Sequence, residues 1–180
     1  MTQYLILLRG INVGGKNIIM ADLKACFESL GFSDVVTYIQ SGNVLFKSAD
    51  KDKVKLTSEI EMELSKRFNY AARLVTVMHK ELKKTVDTAP RGFGGEPEKF
   101  RYDVIFLKEP LTPKEAMKSV STKGGVDAAY VGKHVLYFSR LISKASQSHL
   151  TKIISMPVYQ SMTIRNWNTT TKLLALMEKE

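Results

Sequence analysis

Apolar positions along the first half of the chain fall into two periods. Gln3–Leu8 is a nearly continuous apolar run, the pattern of a strand buried on both faces. Leu23, Phe27 and Leu30 then recur at helical spacing over Met20–Leu30, and Gly31 supplies a stop. Asp34–Gln40 and Asn43–Lys47 read as strands joined across Ser41-Gly42. Leu56, Ile60, Leu64 and Phe68 recur every fourth residue, predicting a helix over Lys51–Phe68 with Asp50 as its cap. Ala72–Met78 is again a strand. The order is β-α-β-β-α-β, the ferredoxin-like unit.

The second half repeats that order without repeating its residues. A short helix over Lys80–Thr88 leads into a loop dense in Gly and Pro, residues 89–97. Arg101–Leu107 is a strand. Thr112 and Glu115 have capping-box spacing, with Pro113 at the first helical position. Val126–Val131 and His134–Ser139 form a hairpin across Gly132-Lys133. A helix is expected over Ser143–Ser155, ended by Pro157, then a strand over Ser161–Arg165 and a closing helix over Thr169–Glu178 capped by Asn166 or Asn168. The prediction is an α+β protein of two duplicated ferredoxin-like subdomains packed together. They are residues 1–88 and 101–180, joined by 89–100, with an extra C-terminal helix. Strand one is apolar on both sides, so its second face needs a cover, either the other half or a second copy in a homodimer.

Composition narrows the class. One cysteine, Cys26, excludes an internal disulfide and a multi-cysteine metal site, and fits a reducing cytoplasm. No stretch approaches the ~20 apolar residues of a membrane span, and no basic segment precedes the first apolar run, so neither a membrane anchor nor a signal peptide is expected. The net charge is +9, and residues 101–180 hold twelve basic against six acidic side chains. Such a surface attracts nucleotides, nucleic acid or other polyanions.

The loop R-G-I-N-V-G-G-K-N, Arg9 to Asn17, follows a strand as a phosphate-binding loop does. Gly10, Gly15 and Lys16 match the Walker A spacing, but Asn17 stands where a hydroxyl must ligate magnesium, and Ile18, Ile19 and Met20 intervene before the helix. A P-loop NTPase is therefore not expected. A glycine-rich turn can still present N–H groups to an anion. The ferredoxin-like order brings Gln40-Ser41-Gly42-Asn43 beside this loop. Arg9, Asn12, Gly14, Gly15, Lys16, Gln40, Ser41 and Asn43 are the expected anion-binding residues; the alternative is two turns packed together.

Further candidates lie in the second half: Arg140 and Lys144, which leave a strand, and Arg165 and Asn166, which lead into Trp167. Trp167 reads more readily as packing than as a base-stacking platform. His79, His134 and His149 have no metal-pair spacing, and Glu59, Glu61 and Glu63 read as a solvated helix face, so no catalytic constellation is predicted. Tyr4 and Phe46 occupy the strands on which an RRM carries its aromatics, but N-V-L-F-K-S is not the RRM motif.

The stretches L-L-R-G-I-N-V-G-G-K-N (Leu7–Asn17), G-F-S-D-V-V-T-Y-I-Q-S-G-N-V-L-F (Gly31–Phe46) and T-I-R-N-W-N-T (Thr163–Thr169) closely resemble the bacterial "domain of unknown function 1697" family. The resemblance implies the same two-subdomain α+β fold and assigns no activity and no cofactor. Its motif positions are Arg9, Gly10, Asn12, Gly14, Gly15, Tyr38, Gln40, Ser41, Gly42, Asn43, Arg165, Asn166 and Trp167. The functional expectation is binding of a phosphate-bearing ligand, a nucleotide or nucleic acid, through the glycine-rich Arg/Lys loop. The alternatives are an enzyme acting on a small phosphorylated substrate and a structural or regulatory homo-oligomer.

Overall fold

Each half of the chain builds one antiparallel four-stranded sheet, as seen in a computed structural model that describes residues 1–11, 17–39 and 42–179. Two compact units result, Met1–Lys80 with Lys179, and Glu81–Glu178. The helix that follows the fourth strand therefore groups from Glu81 onward with the second unit, whereas the sequence pattern alone assigns residues up to 88 to the first.

In the first unit β1 (Thr2–Arg9), β2 (Ser33–Tyr38), β3 (Asn43–Ser48) and β4 (Arg73–Met78) lie in the order β2-β3-β1-β4. Helices α1 (Met20–Ser29) and α2 (Lys53–Phe68) cover one face. Tyr4, Ile6 and Leu8 of β1 meet Leu23, Cys26 and Phe27 of α1 and Leu56, Ile60 and Leu64 of α2 there. A fully buried Leu or Ile contributes about 1.5–3 kcal/mol relative to exposure. Leu5 and Leu7, on the opposite face of β1, are equally buried, as the unbroken apolar run predicts. Tyr4 and Phe46 stack on each other within the helix-covered core, 5.5 Å between centroids, so they offer no open surface to a base. The cap of α2 is Asp52, whose side chain accepts from the Lys55 N–H. The expected cap, Asp50, instead accepts from the Asp52 N–H and pairs with Lys55, one step outside the helix.

The second unit repeats the arrangement. Strands β5 (Phe100–Leu107), β6 (Asp127–Val131), β7 (Val135–Leu141) and β8 (Met162–Asn166) lie in the order β6-β7-β5-β8. The five-residue α4 (Pro113–Met117) carries the expected Thr112/Glu115 capping box. Ile105, Leu107, Leu136, Phe138 and Met162 pack with Ala116 of α4 and with Leu150 and Ile153. Helix α5 (Trp167–Met177), capped by Asn166, packs on β5 and β8. Helix α3 (His79–Asp87) is tied to β7 by the Tyr137 hydroxyl, which donates to the Thr85 carbonyl at 2.7 Å.

One expected element is absent. The helix predicted over Ser143–Ser155, the counterpart of α2, is replaced by two short 3-10 turns, Ile142–Gln147 and Leu150–Ser155, and a third, Pro157–Ser161, follows them. Asp127 on β6 explains the break. Its carboxylate accepts from the Ser148 hydroxyl at 2.6 Å and from the His149 N–H at 2.8 Å, which draws the backbone out of a continuous helical ladder. Lys144 sits at φ −123°, ψ 25°, outside helical geometry. No helix among the described residues is long and apolar enough to cross a membrane.

Candidate functional site

The first 3-10 turn, which stands where the second α-helix of the repeat would begin, contributes Ile142 and Ala145 to a cavity in the second unit. This cavity, of about 380 Å³, opens at the ends of β5, β7 and β8. Its walls include Arg101, Arg140, Phe100, Tyr102, Trp167 and Asn166. That volume lies within the roughly 300–1,000 Å³ of small-molecule sites.

The sheet fixes the two cations. Arg101 on β5 and Arg140 on β7 are direct partners in the antiparallel ladder. Like charges directly opposite one another are destabilising, so the pair carries a cost that a bound anion would relieve. The Arg101 Nε also donates to Asp103 Oδ2 at 2.8 Å. That side chain is 52% exposed, so the ion pair is worth little in water. On the other side of Arg140 the register partner is Asp127. Its oxygens are already engaged by the Ser148 hydroxyl and by the His149 and Lys123 N–H groups. Burial pushes the Asp127 carboxyl upward, but those three hydrogen bonds outweigh it and hold the group below its ordinary range.

The aromatic wall is built from close contacts. Phe93 stands edge-on to Tyr102, Tyr137 and Trp167, with centroids 4.9, 5.3 and 5.1 Å away. Gly94, at φ +82°, lies so close to Trp167 that a Cβ would come within 2.3 Å of the indole Nε1. Only glycine fits both the backbone conformation and the gap. Trp167, the first residue of α5, is thus fixed while it contributes to the cavity wall.

The sequence-derived residues are distributed as follows. Arg140 and Asn166 meet in the cavity. Arg165 does not line it. That side chain is buried in the sheet and donates to Thr163 Oγ1 and the Ile164 carbonyl, both at 3.0 Å, and burial pulls its pKa down to about 10. Lys144 is exposed on the first 3-10 turn and also stands outside the lining. Arg9 and Asn43 lie in the first unit. Asn43 is fully buried, and its amide donates to the Tyr38 carbonyl at 2.9 Å, bracing the β2–β3 connection. The Leu8 N–H donates to the Gly42 carbonyl at 2.8 Å, so that connection does lie beside the end of β1. Asn12, Gly14, Gly15, Lys16, Gln40 and Ser41 lie outside the described residues.

Sequence reasoning missed Arg101, Asp103 and the aromatic wall. A signal existed in F-R-Y-D-V-I-F-L, where Arg101 and Asp103 interrupt an otherwise apolar strand on one face. A second cavity of about 230 Å³ lies beside the first. Its walls include Arg101 and Arg140 again, together with Asp103, Phe138, Ile154 and Ile164. Among the described residues no group of three or more His, Cys, Asp or Glu side chains is arranged to hold a metal ion.

Two antiparallel sheets with the same strand order define a duplicated ferredoxin-like α+β protein. Its sequence places it more narrowly: the chain belongs to a family of proteins of unknown function, DUF1697, whose model matches residues 1–137. The match takes in Arg101 and Asp103 and ends before Arg140, Asn166 and Trp167. The fold is shared over 99% of both chains with the conserved bacterial protein SP0830 from Streptococcus pneumoniae, at 25% identity and a TM-score of 0.87. No curated protein matches this chain.

Proposed function

We propose that the protein binds a phosphate-bearing ligand, a nucleotide or a nucleotide unit of nucleic acid, in the larger cavity of its second unit. The observation that carries this reading is the cross-strand pair Arg101–Arg140 on a wall shared with Trp167, Phe100 and Tyr102. Guanidinium groups match phosphate oxygens in a fork geometry and stay charged at all working pH values. Aromatic faces hold bases by stacking, worth about 1–3 kcal/mol per base. The excess positive charge of residues 101–180 favours the approach of an anion. The glycine-rich Arg9–Asn17 loop adds its sequence to this reading, and a cytoplasmic location goes with it, where nucleotides and a single reduced cysteine coexist.

Titration calorimetry with AMP and with inorganic phosphate tests the reading. AMP is expected to bind more tightly than phosphate, because only AMP uses the aromatic wall. The Arg140→Met substitution is expected to weaken AMP by about tenfold, roughly 1.4 kcal/mol. A wild-type protein that binds neither AMP nor phosphate at low salt overturns the reading.

A further inference from the structure

The walls of the smaller cavity differ in kind from those of the larger one. Arg101 and Arg140 share one register position, and Asp103 and Phe138 share the position two residues further along β5 and β7. Side chains two apart on a strand lie on one face, so the two rows line the same side of the sheet, about 7 Å apart. The cation pair belongs to both cavities. Beyond it, the smaller cavity is walled by Phe138, Leu150, Ile153, Ile154 and Ile164. Asp103 Oδ1 and Arg140 Nε are buried and offer a ligand no contact, and Asp103 Oδ2 is engaged by Arg101 Nε at 2.8 Å. A ligand therefore meets two cationic side chains at one end and apolar walls over most of the rest.

That combination selects a chemistry. A base or a sugar placed against these walls would give up hydrogen bonds with water and find few in return, at a net cost. An alkyl group gives up none, and each methylene taken out of water contributes about fourfold in affinity. An apolar cavity of about 150 Å³ lined by Leu, Ile and Phe stays dry and holds benzene. At about 230 Å³ this one has room for an aliphatic chain of similar carbon count. Ile154 is 55% exposed, so the cavity meets solvent at that residue.

We infer that the smaller cavity holds an aliphatic chain esterified to the ligand's phosphate. The phosphate lies on Arg101 and Arg140, the nucleoside on the Trp167 wall, and the chain between Phe138 and the isoleucines. The ligand class is then an alkyl phosphodiester of a nucleoside rather than a free nucleotide. The inference rests on the phosphate-ligand reading above and specifies what the phosphate carries.

The experiment titrates four probes by calorimetry at low salt: inorganic phosphate, hexyl phosphate, AMP and the hexyl ester of AMP. Wild type is compared with Ile154→Asn, a change at an exposed wall residue that the fold accommodates. On wild type each hexyl compound is expected to bind about tenfold tighter than its parent, as roughly two buried methylenes require. On Ile154→Asn that advantage is expected to fall to about threefold or less, from the loss of one apolar wall. Hexyl compounds no tighter than their parents overturn the chain compartment, and AMP binding then leaves the phosphate-ligand reading standing. A hexyl advantage that Ile154→Asn leaves at full size places the chain elsewhere and also overturns it. Hexyl phosphate that binds where AMP and inorganic phosphate do not overturns the nucleotide reading and supports the chain compartment. Failure of all four probes to bind wild type overturns both.

Discussion

Arg101 and Arg140 face each other across the β5–β7 ladder, two cations at one register position. A sheet optimised for stability alone would not place them there. Methionine at 140 keeps an apolar stem of similar length and removes both the repulsion and the buried Nε, which has no partner among the described residues. Without ligand, Arg140→Met is therefore expected to be more stable than wild type, by about 0.2–1 kcal/mol. Urea denaturation of the two proteins measures this. A clear loss of stability would mean that Arg140 serves the fold.

Gly94 is expected to tolerate no side chain. Alanine there has to hold φ near +82° and displace the Trp167 indole, which a Cβ would approach to 2.3 Å. Gly94→Ala should cost about 1–3 kcal/mol. Trp167 is the single tryptophan, so its fluorescence reports both the shift in ring environment and the denaturation midpoint. An unchanged midpoint and spectrum would show that the loop yields freely.

Asp127 holds the first two 3-10 turns to β6 as a charged acceptor. Its pKa in the folded protein lies below the unfolded value of about 3.9. The stabilisation is thus fully present above that value and is lost as pH falls through the folded pKa. Asp127→Asn presents an amide where the His149 and Lys123 N–H groups also donate. The variant should be less stable than wild type at neutral pH, with a gap that narrows as pH drops below about 4. Denaturation curves at pH 7 and pH 3 give the comparison; a gap independent of pH would contradict the assigned role of the charge.

Much of the architecture could be read from periodicity. Leu56, Ile60 and Leu64 predict α2, and the apolar run of β1 predicts burial on both faces, because a single local rule decides each. The cap of α5 was legible as Asn166 or Asn168, and the structure has Asn166 there. The stretch from Ser143 to Ser155 was not, because Asp127, distant in sequence, claims Ser148 and His149. The candidate site divides along the same line. Arg140 stood out at a strand end. Its partner Arg101 gains meaning only once β5 is known to lie beside β7, and sheet order is not a local property. Trp167 read as packing, since nothing in T-I-R-N-W-N-T places Gly94 against its ring.

The three 3-10 turns between Ile142 and Ser161 bear on how the two cavities are walled. A long α-helix in that position would be one cooperative rod, docked or undocked as a whole. Three separate turns are shorter units instead, each held by its own few hydrogen bonds, with the second anchored in the core by Leu150 and Ile153. Ile142 and Ala145 of the first turn line the larger cavity, and Leu150, Ile153 and Ile154 of the second line the smaller one. The two cavities are therefore walled by different turns, so a substitution in the second turn can reshape the smaller cavity while the wall of the larger one stays as it is.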